Sequence, residues 1–248
     1  MYLQITTKCN MSCDHCCYNC SMRGKHGDYY TIIKSIDFAR DKYEDESITI
    51  GGGEPTLHPR FFDILKYCLD NFNYVWMATN GSQTDIMYRL NNIINGEDYP
   101  ECTCEEDDPE QFAKYGCLCH EKYDNDSIYQ ENKLIVALSL DPWHDPIDDH
   151  VIDMWKRQSK NMNSHFEIRD VSRSLDGASA VGRAKKTGAG WAEDCVCADI
   201  IIKPDGRLKA CGCTRSPYIG NVFSGIDEKY EELLESDNFR NTNCYFGK

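Results

Sequence analysis

Three cysteines, Cys9, Cys13 and Cys16, stand in the spacing C-x3-C-x2-C directly after the apolar run 2–7. That spacing confines three thiols to one tight loop, so whatever fold surrounds them must keep a metal-sized space open beside the end of a strand. Three thiolates can ligate three irons of a 4Fe-4S cube and leave the fourth iron without a protein ligand. An open metal position is what a reactive site needs and a structural site lacks, as the contrast between catalytic and structural zinc shows. Part of a zinc knuckle, or a buried group of reduced thiols, would show the same string. Cys17 and Cys20 lengthen the loop and are read as packing thiols, since three ligands suffice for the cube.

A second string narrows the choice. The β-branched segment 47–50 runs into Gly51-Gly52-Gly53-Glu54-Pro55, a strand that ends in glycines, a carboxylate and a proline. Glycines let a ligand approach the backbone, and a carboxylate accepts hydrogen bonds from an ammonium. One βα unit after a C-x3-C-x2-C loop, this string resembles the Gly-Gly-Glu-Pro motif of the radical S-adenosyl-L-methionine (radical SAM) superfamily. The resemblance implies that Cys9, Cys13 and Cys16 hold a SAM-binding 4Fe-4S cluster. It also implies that Gly52, Gly53 and Glu54 anchor the amino group of SAM, and that His15 packs near the adenine in place of the usual aromatic residue. Thr79-Asn80-Gly81, at the end of a third strand, is similar to a family string lining the SAM side of the barrel.

Periodicity predicts the frame. Strands are expected at 2–7, 47–50, 74–79, 133–140 and 165–171, alternating with helices at 31–43, 60–72, 83–94 and 147–159. Such alternation argues for a parallel sheet with right-handed crossovers. Cys68 falls on the apolar face of its helix and is read as a core thiol. Alternation puts Ser139 and Asp141 on one face of the fourth strand, which at the C-terminal end of a barrel strand points into the active site. Both look like the family's ribose-contacting positions. Asp145 before Pro146 is the expected helix cap, and Trp143 and His144 are candidates for a substrate-pocket floor. Arg169 has two open readings, a partner for the SAM carboxylate or a structural ion pair. Gly182-Arg183-Ala184 resembles a string near the end of the core in many relatives. The expected fold is an α/β partial barrel of five to six units over 1–185, with only five clear strands before the chain turns Gly- and Lys-rich.

Two further cysteine sets break this pattern. Residues 95–132 form an acidic insertion carrying Cys102, Cys104, Cys117 and Cys119, which the family pattern does not cover. These pairs either hold a further metal or are reduced thiols on a lid. Residues 186–248 read as a small cysteine-rich β-hairpin plus helix, with the hairpin turning at Pro204-Asp205-Gly206. This resembles the auxiliary-cluster modules called twitch and SPASM, the shorter twitch form matching better. The resemblance implies an auxiliary 4Fe-4S cluster on Cys195, Cys211, Cys213 and Cys244, with Cys197 as substitute; a zinc ribbon is the rival.

The 248 residues carry 15 cysteines and a net charge of −14. An odd cysteine count in grouped pairs fits metal ligation in a reducing compartment better than disulfides. The negative balance argues against a polyanionic nucleic acid as routine partner. No stretch of about 18 apolar residues suggests a membrane span, and the chain opens on a strand without a leader, so a cytoplasmic protein is expected. The family resemblance implies reductive cleavage of SAM, with an electron donor such as flavodoxin or ferredoxin. No leader-binding module is evident, and oxidative or rearranging modification of a peptide or small, amino-acid-like substrate by hydrogen abstraction is the reading favoured. A nucleotide or modified base is the alternative within the enzyme class, and a non-catalytic iron–sulfur or zinc-binding partner protein the alternative outside it.

Overall fold

The computed structural model describes residues 1–43, 46–98, 133–160, 165–170, 172, 182–189, 199–212 and 215–241. Five parallel strands come first: β1 (Tyr2–Thr6), β2 (Ser47–Gly52), β3 (Tyr74–Thr79), β4 (Leu134–Ser139) and β5 (Phe166–Arg169). Between them run α1 (Tyr29–Tyr43), α2 (Phe61–Asn71), α3 (Thr84–Ile94) and α4 (Asp149–Gln158). A short helix, α5 (Gly182–Thr187), precedes β6 (Ile201–Ile202), β7 (Arg207–Lys209), β8 (Tyr218–Asn221) and β9 (Gly225–Ile226). Helices α6 (Glu228–Glu235) and α7 (Asp237–Asn241) follow. All nine strands make one sheet in the order β5-β4-β3-β2-β1-β6-β7-β8-β9. The pairings from β5 to β1 and from β1 to β6 are parallel; from β6 onward they are antiparallel.

Register explains why this order holds. Phe166, Val136, Met77, Ile50, Leu3, Ile202 and Leu208 are successive partners across seven strands, so one apolar layer crosses the sheet. Every member is at most 5% exposed. Ile32, Ile33 and Ile36 of α1 and Ile64 and Leu65 of α2 belong to the same core. A one-residue slip of any strand would turn its member of the layer to the opposite face. The opposite set of side chains (Tyr2, Gly51, Ala78, Ser139 and Arg169) faces the cavity described below.

Element bounds follow the sequence-based expectations to within two residues, with two informative differences. Helix α4 is capped by Asp148, whose carboxylate accepts from His150 N at 2.9 Å, and not by Asp145. Asp148 is itself followed by Asp149 in the first turn, so one carboxylate caps and the next meets the positive end of the helix dipole. The short strand β6 pairs with β1 and not with β5, so the hairpin β6–β7 extends the edge of the sheet opposite β5.

Candidate active site

The cysteine loop begins where β1 ends. It is closed at its base by backbone bonds from Thr7 N to Lys25 O (2.8 Å), Cys9 N to Ser21 O (3.0 Å) and Gly27 N to Ile5 O (2.9 Å). The end of β2 runs alongside, with Gly53 N donating to Thr6 O and Glu54 N to Lys8 O, each at 2.9 Å. This contact is why glycine stands at 52 and 53. Gly52 has φ of +133°, and a Cβ on Gly53 would lie 2.1 Å from Lys8 O. The glycine string therefore lets two backbones pass within hydrogen-bonding distance.

Loop and strand ends enclose a cavity of about 230 Å³. Cys9, Cys13, His15 and Cys16 form one wall; Gly52, Gly53, Glu54, Thr79 and Asn80 form the floor; Ser139, Asp141 and Arg169 form the far wall. All twelve candidates expected from the sequence for the cluster and SAM are thus brought to one space, at the C-terminal ends of β2 to β5. Asn80 ties floor to wall: its amide nitrogen donates to Asn10 Oδ1 at 2.9 Å and lies 4.0 Å from Cys9 Sγ.

Two buried carboxylates face this space in opposite states. Glu54 is 1% exposed. Its Oε1 accepts from Thr56 N (3.2 Å), Thr56 Oγ1 (2.7 Å) and Thr79 Oγ1 (2.8 Å), and its Oε2 from Asn80 N (2.7 Å). Burial still pushes its pKa upward against those bonds. Asp141, with a side chain 1% exposed, accepts on Oδ1 from Trp143 N at 3.1 Å and pairs there with His144 Nδ1 at 2.8 Å. Its Oδ2 has no hydrogen-bond partner among the described residues, and neither does His15 Nδ1. The His15 ring packs 5.0 Å from Trp143 and 5.1 Å from His144.

Charge on this wall follows from the contacts. Burial would lower the His144 pKa, but bonds to Asp141 and to Cys13 push it up to about 9. Burial would raise the Asp141 pKa, yet His144 holds it below the usual carboxylate range. His15 is shifted downward, chiefly by burial. Arg169 lines the far wall of the cavity.

The sequence reading passed over several cavity residues. Cys17 and Cys20 line the same space, as do Tyr2 and Tyr18, whose rings stack at 5.4 Å. A hydrogen bond from Cys20 is the main cause that lowers the Cys16 pKa. The available signal was that Cys13, Cys17 and Cys20 repeat the C-x3-C-x2-C spacing in a second frame. Of the tail cysteines only Cys211 is described; it is 3% exposed, and its backbone N donates to Ser216 Oγ at 3.0 Å. Cys195, Cys197, Cys213 and Cys244, and the insertion's Cys102, Cys104, Cys117 and Cys119, lie outside the described residues.

The donor set fits a thiolate-bound cluster with a ligand beside it. Three thiols share one wall, glycines keep the floor low, and the far wall presents the Arg169 guanidinium and an Asp141 oxygen without a hydrogen bond among the described residues. No helix of the described residues is long and apolar enough to cross a membrane.

Comparison with known proteins agrees with this geometry. Residues 3–120 match the family model of the radical SAM superfamily. The chain is 35% identical over 85 residues to the tungsten-containing aldehyde ferredoxin oxidoreductase cofactor-modifying protein of Pyrococcus furiosus, covering 33% of this chain and 24% of that protein. It is 30% identical over 98 residues to an S-adenosylmethionine-dependent nucleotide dehydratase of a Thermoplasmatales archaeon (38% and 34%). It is also 30% identical over 78 residues to the mycofactocin maturase MftC of Mycobacterium tuberculosis (32% and 20%). The chain thus spans about a third or less of the curated relatives it matches. Among solved structures, BtrN in complex with AdoMet and 2-DOIA superposes with a TM-score of 0.55 at 11% identity, over 96% of this chain and 82% of that one, a likeness of fold alone. The thiol triad and the glycine floor thus fall within residues 3–120, the segment that matches the radical SAM superfamily model.

Proposed function

We propose that the cavity is the active site of a radical SAM enzyme that abstracts hydrogen from a peptide or amino-acid-like substrate. The single observation carrying this reading is the convergence of Cys9, Cys13 and Cys16 with a buried Asp141 oxygen that lacks a hydrogen bond among the described residues, across one cavity. Cys9, Cys13 and Cys16 would hold a 4Fe-4S cluster. Gly52, Gly53, Ser139, Asp141 and Arg169 would hold SAM. Bound there, cluster and SAM supply a low-potential electron and a 5′-deoxyadenosyl radical; the protein binds, orients and excludes water.

Each side chain has a defined part in this reading. Asp141 offers a charged acceptor to a hydroxyl donor, and His144 keeps Asp141 ionised and oriented. Arg169 offers a guanidinium to a carboxylate. Glu54 fixes the ends of β2 and β3 by accepting four bonds from the protein itself. The His15 ring stands where a planar group can pack. No side chain has to act as nucleophile.

The finer assignments belong to the same proposal. Residues 1–185 form the partial barrel and 186–248 a twitch-like module with an auxiliary cluster on Cys195, Cys211, Cys213 and Cys244. The antiparallel hairpin β6–β7 followed by α6 supports a small appended unit. A flavodoxin or ferredoxin would supply the electron. The similarity to a mycofactocin maturase supports a peptide substrate; the similarity to a nucleotide dehydratase supports a second reading, a nucleotide.

Anaerobic reconstitution followed by SAM and dithionite tests the reading. Formation of 5′-deoxyadenosine, stimulated by peptide more than by nucleotide, is expected. Absence of 5′-deoxyadenosine from iron-replete protein would overturn it, and stimulation by nucleotides alone would move the substrate to the second reading.

A further inference from the structure

The loop that carries the three cysteines is gripped from a distant part of the chain. Arg183 Nη1 donates to Cys13 O at 2.9 Å, and Nη2 makes a short bond to Cys20 O. The backbone of the same helix joins in, with Arg183 N donating to Cys16 O at 2.9 Å and Ala184 N to the same oxygen at 3.4 Å. Thr187 Oγ1 donates to Asp14 O at 2.8 Å. The fit is close enough to dictate Gly182. Its φ is +59°, and a Cβ there would lie 2.0 Å from Cys17 O and 2.9 Å from Cys16 O. Residues 182–187 thus hold the carbonyls of residues 13, 14, 16 and 20.

We infer that Arg183 is the positioning residue of the cysteine loop, fixing its carbonyls with a two-pronged guanidinium and setting a permanent positive charge beside its thiolates. The inference rests on the reading that this loop holds a 4Fe-4S cluster. Two physical consequences follow. A loop whose carbonyls are pinned at both ends cannot splay its thiols apart, so ligands re-form faster than they are lost. A cation beside a cluster also favours the more negative, reduced form, since local charge is one determinant of cluster potential. Lysine would keep that charge but lose the fork, because an ammonium cannot span two carbonyls as a guanidinium does.

The two effects separate in a set of variants of the whole chain, reconstituted anaerobically. Two quantities are read: the fraction of cluster reduced at a fixed solution potential, by electron paramagnetic resonance, and the rate of iron loss to a ferrous chelator. Arg183→Gln should lower the reduced fraction several-fold and speed iron loss. Arg183→Lys should restore the reduced fraction while iron loss stays fast. Thr187→Val, which removes an uncharged tie to the same loop, should speed iron loss mildly and leave the reduced fraction alone. A reduced fraction in Arg183→Gln equal to that of the parent would overturn the electrostatic half, and parental iron retention in Arg183→Lys the positioning half. If Arg183→Gln does not fold, Arg183→Lys alone still decides the second point. A parent protein that takes up no cluster would instead count against the proposed function, and so the two failures are distinguishable.

Discussion

Glu54 and Asp141 are buried carboxylates on one cavity, and the walls they belong to are built on different terms. Around Glu54 the protein supplies every partner: two threonine hydroxyls, two backbone amides and the Asn80 link to the cysteine loop. Around Asp141 it stops halfway, engaging Oδ1 through His144 and Trp143 and leaving Oδ2 without a hydrogen bond among the described residues, with His15 Nε2 3.6 Å away. A buried acceptor without a donor costs roughly 1–3 kcal/mol, and under the proposed function a bound ligand would supply the donor. The comparison separates scaffold from binding surface among side chains that sequence alone lists together. Sequence placed Glu54 among the SAM anchors. Its neighbours in the fold give it an internal role first.

The largest effect should come from the thiol wall. Cys13→Ala should abolish reductive SAM cleavage while leaving the melting curve of the iron-free protein close to that of the parent. Under the proposed function Cys13 contributes a ligand, whereas the apolar layer that crosses the sheet does not include it. Any 5′-deoxyadenosine formed by that variant would break the assignment of this wall.

Next, Glu54→Gln sharpens the scaffold side. The amide has one acceptor oxygen where the carboxylate has two, and its NH2 would face the donors at Thr79 or Asn80. A loss of about 2 kcal/mol in unfolding free energy of the iron-free protein is expected. A denaturant midpoint unchanged from that of the parent would show that Glu54 does not brace the floor.

A pH effect of intermediate size is expected on the same scaffold. His58 ends the turn Pro55–Leu57 that Glu54 begins, with Nε2 against Gly27 O at 3.0 Å and Nδ1 accepting from Arg60 N at 3.1 Å. Burial pushes its pKa down to about 4. The unfolded chain takes up a proton near 6.5 and the folded one only near 4, so this group favours folding above 6.5 and loses that contribution as pH falls from 6.5 to 4. His58→Gln should flatten the pH dependence of the melting temperature in that window. An identical slope in parent and variant would remove His58 from the account. The smallest effect is at the cap of α4: Asp148→Ala should cost about 1 kcal/mol, with iron uptake unchanged.

Much of this was legible in the sequence for a specific reason. The C-x3-C-x2-C and Gly-Gly-Gly-Glu strings are local, and β1 and β2, which they follow, are neighbours in the sheet, so spacing alone predicts that they meet. Period-two alternation put Ser139 and Asp141 on one face of the fourth strand, and both line the cavity. What was not legible depends on partners far along the chain. That Glu54 is bonded by residue 79 and the cysteine loop by residue 183 are facts of tertiary closure, with sequence separations of 25 and 170. The helix cap at Asp148 was missed for the opposite reason, since three aspartates within five residues offer the same signal.

The account turns on Asp141 keeping an acceptor for a ligand and Glu54 directing its acceptors to donors of the protein itself. Parallel SAM titrations of iron-replete parent, Asp141→Asn and Glu54→Gln, each with a melting curve of the SAM-free protein, test this most directly. Asp141→Asn should weaken SAM binding by about tenfold or more, the scale of a charge-assisted hydrogen bond, and leave the melting temperature unchanged or raised. Glu54→Gln should show the larger fall in melting temperature and the smaller change in affinity. The reverse pattern, with Asp141→Asn binding SAM like the parent and Glu54→Gln losing it, would contradict the account.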